Sequence, residues 1–167
     1  GGGIKLYNGG SALTINGNLA MKGTGGGNDA YGVSAAQKGG YGSTKTYQAT
    51  GINIYDKDGA AFTLNGNLDM KVKGVGVDMR GSEKNAVTIA GGTIFTPDDG
   101  EEASYKAVAA TSGTFAMGMN DAKTGSNGKD VVVQGTISLG KKGTVDLGLG
   151  SSKSRWTGIA DNKDGHP

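Results

Sequence analysis

The sequence predicts an all-β protein, a right-handed parallel β-helix (β-solenoid) of about six or seven coils, since three short strands and their bends take roughly 24 residues. Three observations predict this fold class: an internal duplication, apolar residues at every second position, and abundant glycine between the apolar runs. The duplication aligns Gly10–Lys22 with Gly59–Lys71, 49 positions further on, and nine of the thirteen aligned residues are identical. A repeated strand-turn-strand unit is typical of solenoids, in which each repeat packs on its neighbours.

Each copy of the duplication alternates apolar and polar residues around a central Asn-Gly. Leu13 and Ile15 precede this dipeptide in the first copy, and Phe62 and Leu64 precede it in the second. Apolar side chains at every second position indicate a strand with one buried face, and Asn-Gly indicates a tight bend. Looser versions of the alternation recur at 87–89, 131–139 and 144–149.

The spacing of these runs predicts which residues stack. The step from Phe62 to Val87 is 25 residues, close to the length expected for one coil. In a parallel β-helix, inward residues of successive coils lie above one another, so we expect Leu13, Phe62, Val87 and Val131 in equivalent rows of the interior.

The residues next to these apolar positions are expected to face outward. Thr14, Thr63 and Thr88 each follow one of them. Aligned hydroxyl groups of this kind would form a ladder of hydrogen-bonding groups on one side face. We treat this ladder as a candidate surface for self-association.

The remaining elements are read in chain order. Ile4–Tyr7 predicts a first strand, and Gly51–Asp56 echoes it just ahead of the second copy of the duplication. The stretch between the copies is predicted to be mainly loop, with short candidate strands at 31–35 and 44–49. Later strands are predicted at 72–79, 93–96, 105–111, 114–119, 131–139, 144–149 and 154–159. We assign residues 1–160 to a single solenoid array and 161–167 to a polar tail.

An immunoglobulin-like sandwich is the main rival fold. It predicts about seven strands of distinct character joined by hairpins. It does not predict an internal duplication whose apolar positions line up, so the pattern favours the solenoid.

Composition restricts the function. The 167 residues include 34 glycines and no cysteine, and 17 basic against 15 acidic residues give a net charge of +2. The charges are scattered singly, without the basic stripe of a nucleic-acid-binding protein. No apolar run approaches a membrane span, so direct membrane insertion of this segment is not expected. Because the chain opens on Gly1 rather than Met, we interpret it as a piece of a longer protein.

Three stretches carry a resemblance to a known family. They are the repeat at 61–71, the run at 132–139, and Ser154–Gly158 (SRWTG), which is similar to a Ser-x-Trp-x-Gly element that closes runs of such coils. With these stretches, the chain resembles part of the passenger domain of a bacterial type V autotransporter adhesin. The nucleophile signature of the serine-protease members is absent, so the resemblance implies a non-enzymatic protein that is displayed on the bacterial cell surface. The expected partners are another copy of the chain, a host or bacterial surface receptor, or a glycan.

A polysaccharide-acting β-helix enzyme of the pectin lyase type is the alternative. Such an enzyme needs acidic and basic residues from neighbouring coils in one cleft. The candidates on strand faces are Asp69, Lys71, Lys73, Asp78 and Arg80. An alternating charged outer face explains the same residues without catalysis.

The remaining candidate sites have simpler interpretations. Gly25–Asp29 resembles one imperfect copy of a calcium-binding nonapeptide, but such a site needs stacked consecutive copies, so the segment is interpreted as a flexible loop. The acidic group within 98–102 could hold a hard cation or supply a carboxylate pair, but it also fits a solvated turn. His166 is expected in the tail, and Trp156 as a cap over the last coil. No metal, cofactor or catalytic residue is therefore assigned.

Overall fold

The structure is a computed structural model that describes residues 2–23, 49–96 and 105–162. In this part of the chain the regular structure consists of twelve β-strands without a helix. The strands are β1 (Gly2–Leu6), β2 (Ala12–Ile15), β3 (Leu19–Gly23), β4 (Ala49–Tyr55), β5 (Ala61–Val72), β6 (Gly74–Arg80), β7 (Ala86–Phe95), β8 (Lys106–Met117), β9 (Val131–Gln134), β10 (Thr136–Leu147), β11 (Arg155–Thr157) and β12 (Ala160–Asp161).

The strands pair in three parallel ladders. The first ladder runs in the order β1, β4, β6, β8, β10 and β12. The second runs β2, β5, β7, β8 and β10, and the third runs β3, β5, β7, β9 and β11. The long strands β5, β7, β8 and β10 each contribute to two ladders. Within the described residues, the chain therefore passes five times through the first, second and third ladders in that order, and β12 begins a sixth pass.

The duplicated segments lie directly against each other. Leu13 pairs with Phe62, and Phe62 pairs with Val87, as the sequence predicts. The next residue in this row is Phe115, which pairs with Val87. The prediction that Val131 occupies this row is wrong, because Val131 lies in the third ladder opposite Gly92.

A loop between β8 and β9 explains the displacement of Val131. Gly118 donates its N–H to the Ile89 carbonyl as the chain leaves the second ladder, at 2.9 Å. Gly92 donates to the Asp130 carbonyl at 2.8 Å where the chain enters the third ladder. The two bonds are anchored only three residues apart on β7, at Ile89 and Gly92, so the long loop between them advances the chain very little along the ladders. Counting the residues of this loop as strand places Val131 in the second ladder, about half a pass from its position in the third.

Strand pairing in the described part excludes the hairpins of a sandwich. Every pairing between the strands is parallel, and the antiparallel contact recorded there is an isolated bridge between Met119 and Ser126. The fold is therefore all-β with a parallel sheet. The candidate strand at 31–35 and most of that at 44–49 lie outside the described residues.

Inward side chains from all three ladders meet in one hydrophobic core. The second ladder contributes Phe62 and Phe115, the third Met70 and Ile94, and the first Ile52, all fully buried. Large apolar side chains of this kind stabilise a fold by about 1.5–3 kcal/mol each when they leave water. Core residues of β1, β2 and β3 are only partly buried, since within the described residues these strands have a partner on one side only.

Polar side chains secure the bends between ladders. Asn85 is buried at the bend before β7, where its Oδ1 accepts from the Ala60 N–H at 2.8 Å and its Nδ2 donates to the Arg80 carbonyl at 2.9 Å. At the bend within the duplication, the Asn65 Nδ2 donates to the Asn16 Oδ1 at 2.8 Å. These bonds satisfy polar groups that the strands cannot pair, and they hold successive passes in register.

Candidate functional site

The outward face of the first ladder carries a groove lined by five residues, which we name the tyrosine groove. Its members are Lys5, Tyr7, Asn53, Tyr55 and Arg80. The groove is open to solvent and has a volume of about 460 Å³. It combines two aromatic rings, two cations and one amide, which is the mixed lining of a site for an amphipathic ligand.

Strand alternation directs these side chains outward. Ile52 and Ile54 of β4 and Val77 and Met79 of β6 are fully buried, so the residues between and after them face the other side of the sheet. The register then groups the outward residues into two columns. One column is Lys5, Asn53 and Asp78, and the other contains Tyr55 beside Arg80, with Tyr7 directly after β1.

The two tyrosines are the most exposed aromatic side chains among the large hydrophobic residues of the described part. Tyr7 is 54% exposed and Tyr55 is 59% exposed. Large rings left in solvent beside one another on a rigid sheet face are typical of binding surfaces rather than of structural packing.

A cation lies near the face of each ring. The Lys5 Nζ is 5.9 Å from the centre of the Tyr7 ring, and the Arg80 guanidinium carbon is 5.9 Å from the centre of the Tyr55 ring. Both distances are within the range of cation–π attraction, which is worth about 0.5–1 kcal/mol at an exposed site. These contacts orient the rings before any ligand arrives.

The carboxylate of Asp78 neutralises one of the two cations. It forms an ion pair with Arg80, and the Asp78 residue is only 9% exposed. Lys5 is not paired with a carboxylate among the described residues. The groove therefore has a local charge of +1, from two cations and one carboxylate.

Asn53 leaves a polar atom without a partner in the wall of the groove. Its Oδ1 is buried and has no hydrogen-bond donor in the structure. An unpaired buried acceptor costs about 1–3 kcal/mol, so such an atom is uncommon unless a bound molecule or water completes it.

The three threonines of the predicted ladder lie in one row of neighbouring strands. Thr14 pairs with Thr63, and Thr63 with Thr88, on the outward face of the second ladder. Thr14 is exposed, whereas the other two are half-buried. The adjacent column contains only alanines at the same three strands, Ala12, Ala61 and Ala86, so this face is flat. The ladder's role in self-association stays a prediction.

The charged residues considered for polysaccharide chemistry do not converge. Asp69 and Lys71 lie on the third ladder, Asp78 and Arg80 lie on the first, and Lys73 lies between β5 and β6. The buried Asp78 is already engaged by Arg80. Within residues 2–23, 49–96 and 105–162, no group of three or more histidine, aspartate or glutamate residues could hold a metal ion.

Of the remaining candidate residues from the sequence analysis, Trp156 lies in the part of the chain that the structure describes. Trp156 packs against the core from β11, and its Nε1 donates to the Gly135 carbonyl at 3.0 Å. Its predicted role as a cap over the last coil stays a prediction. Gly25–Asp29, the acidic group within 98–102 and His166 lie outside the described residues.

One exposed ion pair joins the turn between β6 and β7 to strand β10. The Lys142 Nζ lies 2.8 Å from a carboxylate oxygen of Glu83. The hydrogen bond and charge of each partner lower the pKa of Glu83 and raise the pKa of Lys142 from their ordinary values. The ion pair therefore stabilises the fold at pH values above the unfolded pKa of Glu83. This stabilisation is lost as pH falls through the lowered pKa of Glu83 in the fold, and also as pH rises through the raised pKa of Lys142. Both groups are fully exposed, so water screens the attraction.

The sequence predicted the strands that carry the tyrosine groove, but it did not predict the groove itself. The echo between Ile4–Tyr7 and Gly51–Asp56 was the available signal, because both segments place a polar residue and then a tyrosine at alternate positions. Arg80 carries no such signal, and only the register of β4 and β6 brings it beside Tyr55.

Comparison with known proteins gives no assignment: no family model, no curated protein and no solved structure matches the chain. Among the described residues, no helical segment has the length and apolar character needed to cross a bilayer.

Proposed function

We propose that the chain is an adhesive segment of a protein displayed on a bacterial cell surface, and that its side faces contact glycans or other copies of the chain. The observation that carries this proposal is the tyrosine groove, which places on one sheet face two exposed aromatic rings and a cation that has no carboxylate partner among the described residues. The resemblance of the sequence to autotransporter passenger domains supports the surface location.

The finer fold belongs to the same proposal. We propose that the three ladders close around the common core as a right-handed parallel β-helix, with one coil for each pass. The fixed order of the ladders along the chain and the single core formed by all three support this arrangement. A rod of this kind repeats its side faces at about 4.8 Å per coil.

Self-association through the threonine ladder is a second candidate role. Its support is the flat face on which Thr14, Thr63 and Thr88 align with a column of alanines. Each exposed hydrogen bond is worth only about 0.5–1.5 kcal/mol net. Useful attraction would therefore come from many molecules acting together on one surface.

Polysaccharide cleavage is not part of the proposal. The charged residues that would serve it are divided between the first and third ladders, and the acid nearest the groove is tied to Arg80.

Beads coated with the whole chain test the proposal in two arms. Retention of the beads on glycan-coated surfaces tests the groove, with Tyr55→Ser as the variant and Tyr55→Phe as the matched control. Clumping of the beads with one another tests the ladder, with a Thr63→Lys and Thr88→Lys double variant. We expect the serine variant to lose retention while the phenylalanine variant keeps it, and the lysine variant to lose clumping. Beads that neither clump nor bind to a broad set of cell-surface glycans would refute the adhesive role.

A further inference from the structure

We infer that the tyrosine groove is a binding site for an acidic saccharide, a carboxylate-bearing pyranose unit. This inference deepens the proposed function and depends on it for biological meaning, although the binding itself can be measured on the isolated chain. The ligand class follows from the shape, the polarity and the charge of the five lining residues.

The aromatic part of the lining indicates a sugar ring. A pyranose presents an apolar face of C–H groups, with hydroxyl groups around its edge. Tyr7, directly after β1, and Tyr55, at the end of β4, are more than half exposed, and their strands neighbour each other at about 4.8 Å, so a sugar ring can pack against aromatic surface here. Their hydroxyl groups supply polar partners for the hydroxyl groups of a sugar, and Asn53 adds a polar residue to the lining.

The charge of the lining indicates a carboxylate on that sugar. Arg80 is already engaged by Asp78, so its charge is largely compensated. Lys5 is the groove's other cation, and its long flexible stem lets the ammonium group move from the Tyr7 ring to a ligand. A neutral sugar would leave this charge unmatched, whereas one carboxylate would balance the local charge of +1.

The same geometry disfavours an acidic peptide. A peptide of that kind would need sheet-edge pairing or an apolar anchor, as in common modes of peptide recognition. The groove lies on the outward face of β1, β4 and β6 and not along the edge of β1, which within the described residues pairs with β4 on one side only. It offers rings and polar atoms rather than a deep apolar pocket.

Titration calorimetry on the whole chain tests the inference with matched ligands. The ligands are tetramers of galacturonate, glucuronate and mannuronate, each beside its methyl ester, which removes the charge and keeps the sugar. Polyglutamate of similar length serves as the acidic peptide. The variants are Lys5→Gln and Tyr55→Ser, with Lys71→Gln as the control because Lys71 is exposed on the third ladder.

We expect at least one hexuronate tetramer to bind more tightly than its ester. Lys5→Gln should weaken that acid by about 2- to 5-fold and leave the ester unchanged, as for one exposed ion pair. Tyr55→Ser should weaken acid and ester alike, by about tenfold for roughly 50 Å² of lost apolar contact. Lys71→Gln should change neither, and salt should reduce the preference for the acid.

Several results would overturn the inference. Equal binding of every acid and its ester, equal effects of Lys5→Gln and Lys71→Gln, or tighter binding of polyglutamate than of every tetramer would each do so. Failure of the bead experiment together with binding of a hexuronate here would refute the adhesive role while keeping the site. Bead retention without hexuronate binding would refute the site alone. Circular dichroism of each variant shows whether the β structure is intact.

Discussion

Some glycines are needed because neighbouring strands approach each other closely at their positions. Gly92 has φ of +114°, and a Cβ added to it would lie 2.0 Å from the Leu68 carbonyl oxygen of the neighbouring strand. Gly17, in the Asn-Gly bend of the first copy, has open space around its added Cβ instead. A close contact and a positive φ therefore require glycine at position 92, and neither requires it at position 17.

We predict opposite effects for alanine at these two glycines. Gly92→Ala should lower the free energy of unfolding by about 2–4 kcal/mol, because it combines an unfavourable positive φ with a backbone clash. Gly17→Ala should leave it unchanged or raise it by up to about 1 kcal/mol, because it restricts the unfolded chain without a clash. Urea unfolding of both variants gives the two values, and a loss of similar size at Gly17 would contradict the explanation.

At the scale of the element, β5 shows how local pattern becomes packing. Its alternating residues place Phe62 and Leu64 in the core on one side of the Asn-Gly and Leu68 and Met70 on the other. One strand therefore supplies two ladders, and its partners β2 and β3 repeat the same apolar alternation at the edge of the described sheet.

The position of a core residue in the stack of strands should determine how much its replacement by alanine lowers the free energy of unfolding. Phe62→Ala should destabilise the fold by about 3–5 kcal/mol, because the ring is fully buried between Leu13 and Val87. Leu13→Ala, in the same row at the partly buried end, should cost only about 1–2 kcal/mol, because water already reaches that side chain. Denaturant midpoints of the pair test this order, and an equal or larger loss at Leu13 would show that another segment covers β2.

The sequence was informative wherever local pattern and duplication agreed. The alignment of Leu13 with Phe62 follows from the duplication, and that of Phe62 with Val87 follows from a step of about one coil and a period of two, so this row could be predicted although the two steps differ in length. The place of Val131 could not, because the local pattern does not show how many residues a loop removes from the repeat. The groove was missed for a related reason: it depends on the register between β1, β4 and β6, which no single stretch records.

At the scale of the whole molecule, each pass contacts mainly the passes on either side. Stability in such an arrangement is approximately a sum of neighbouring contacts, so the ends should open before the middle. We predict the slowest amide hydrogen exchange in β5, β7 and β8 and the fastest in β1 and β12. Exchange at one uniform rate along all strands would instead indicate a single cooperative unit.

The loop between β8 and β9 has a practical consequence for engineering. The chain departs beside Ile89 and comes back beside Gly92 of the same strand, and the turn at 121–124 within the loop is exposed, so an insertion in that turn would leave both anchoring bonds in place. Foreign peptides or small domains with adjacent termini could thus be grafted at this corner, and the protein would serve as a carrier that presents them outward.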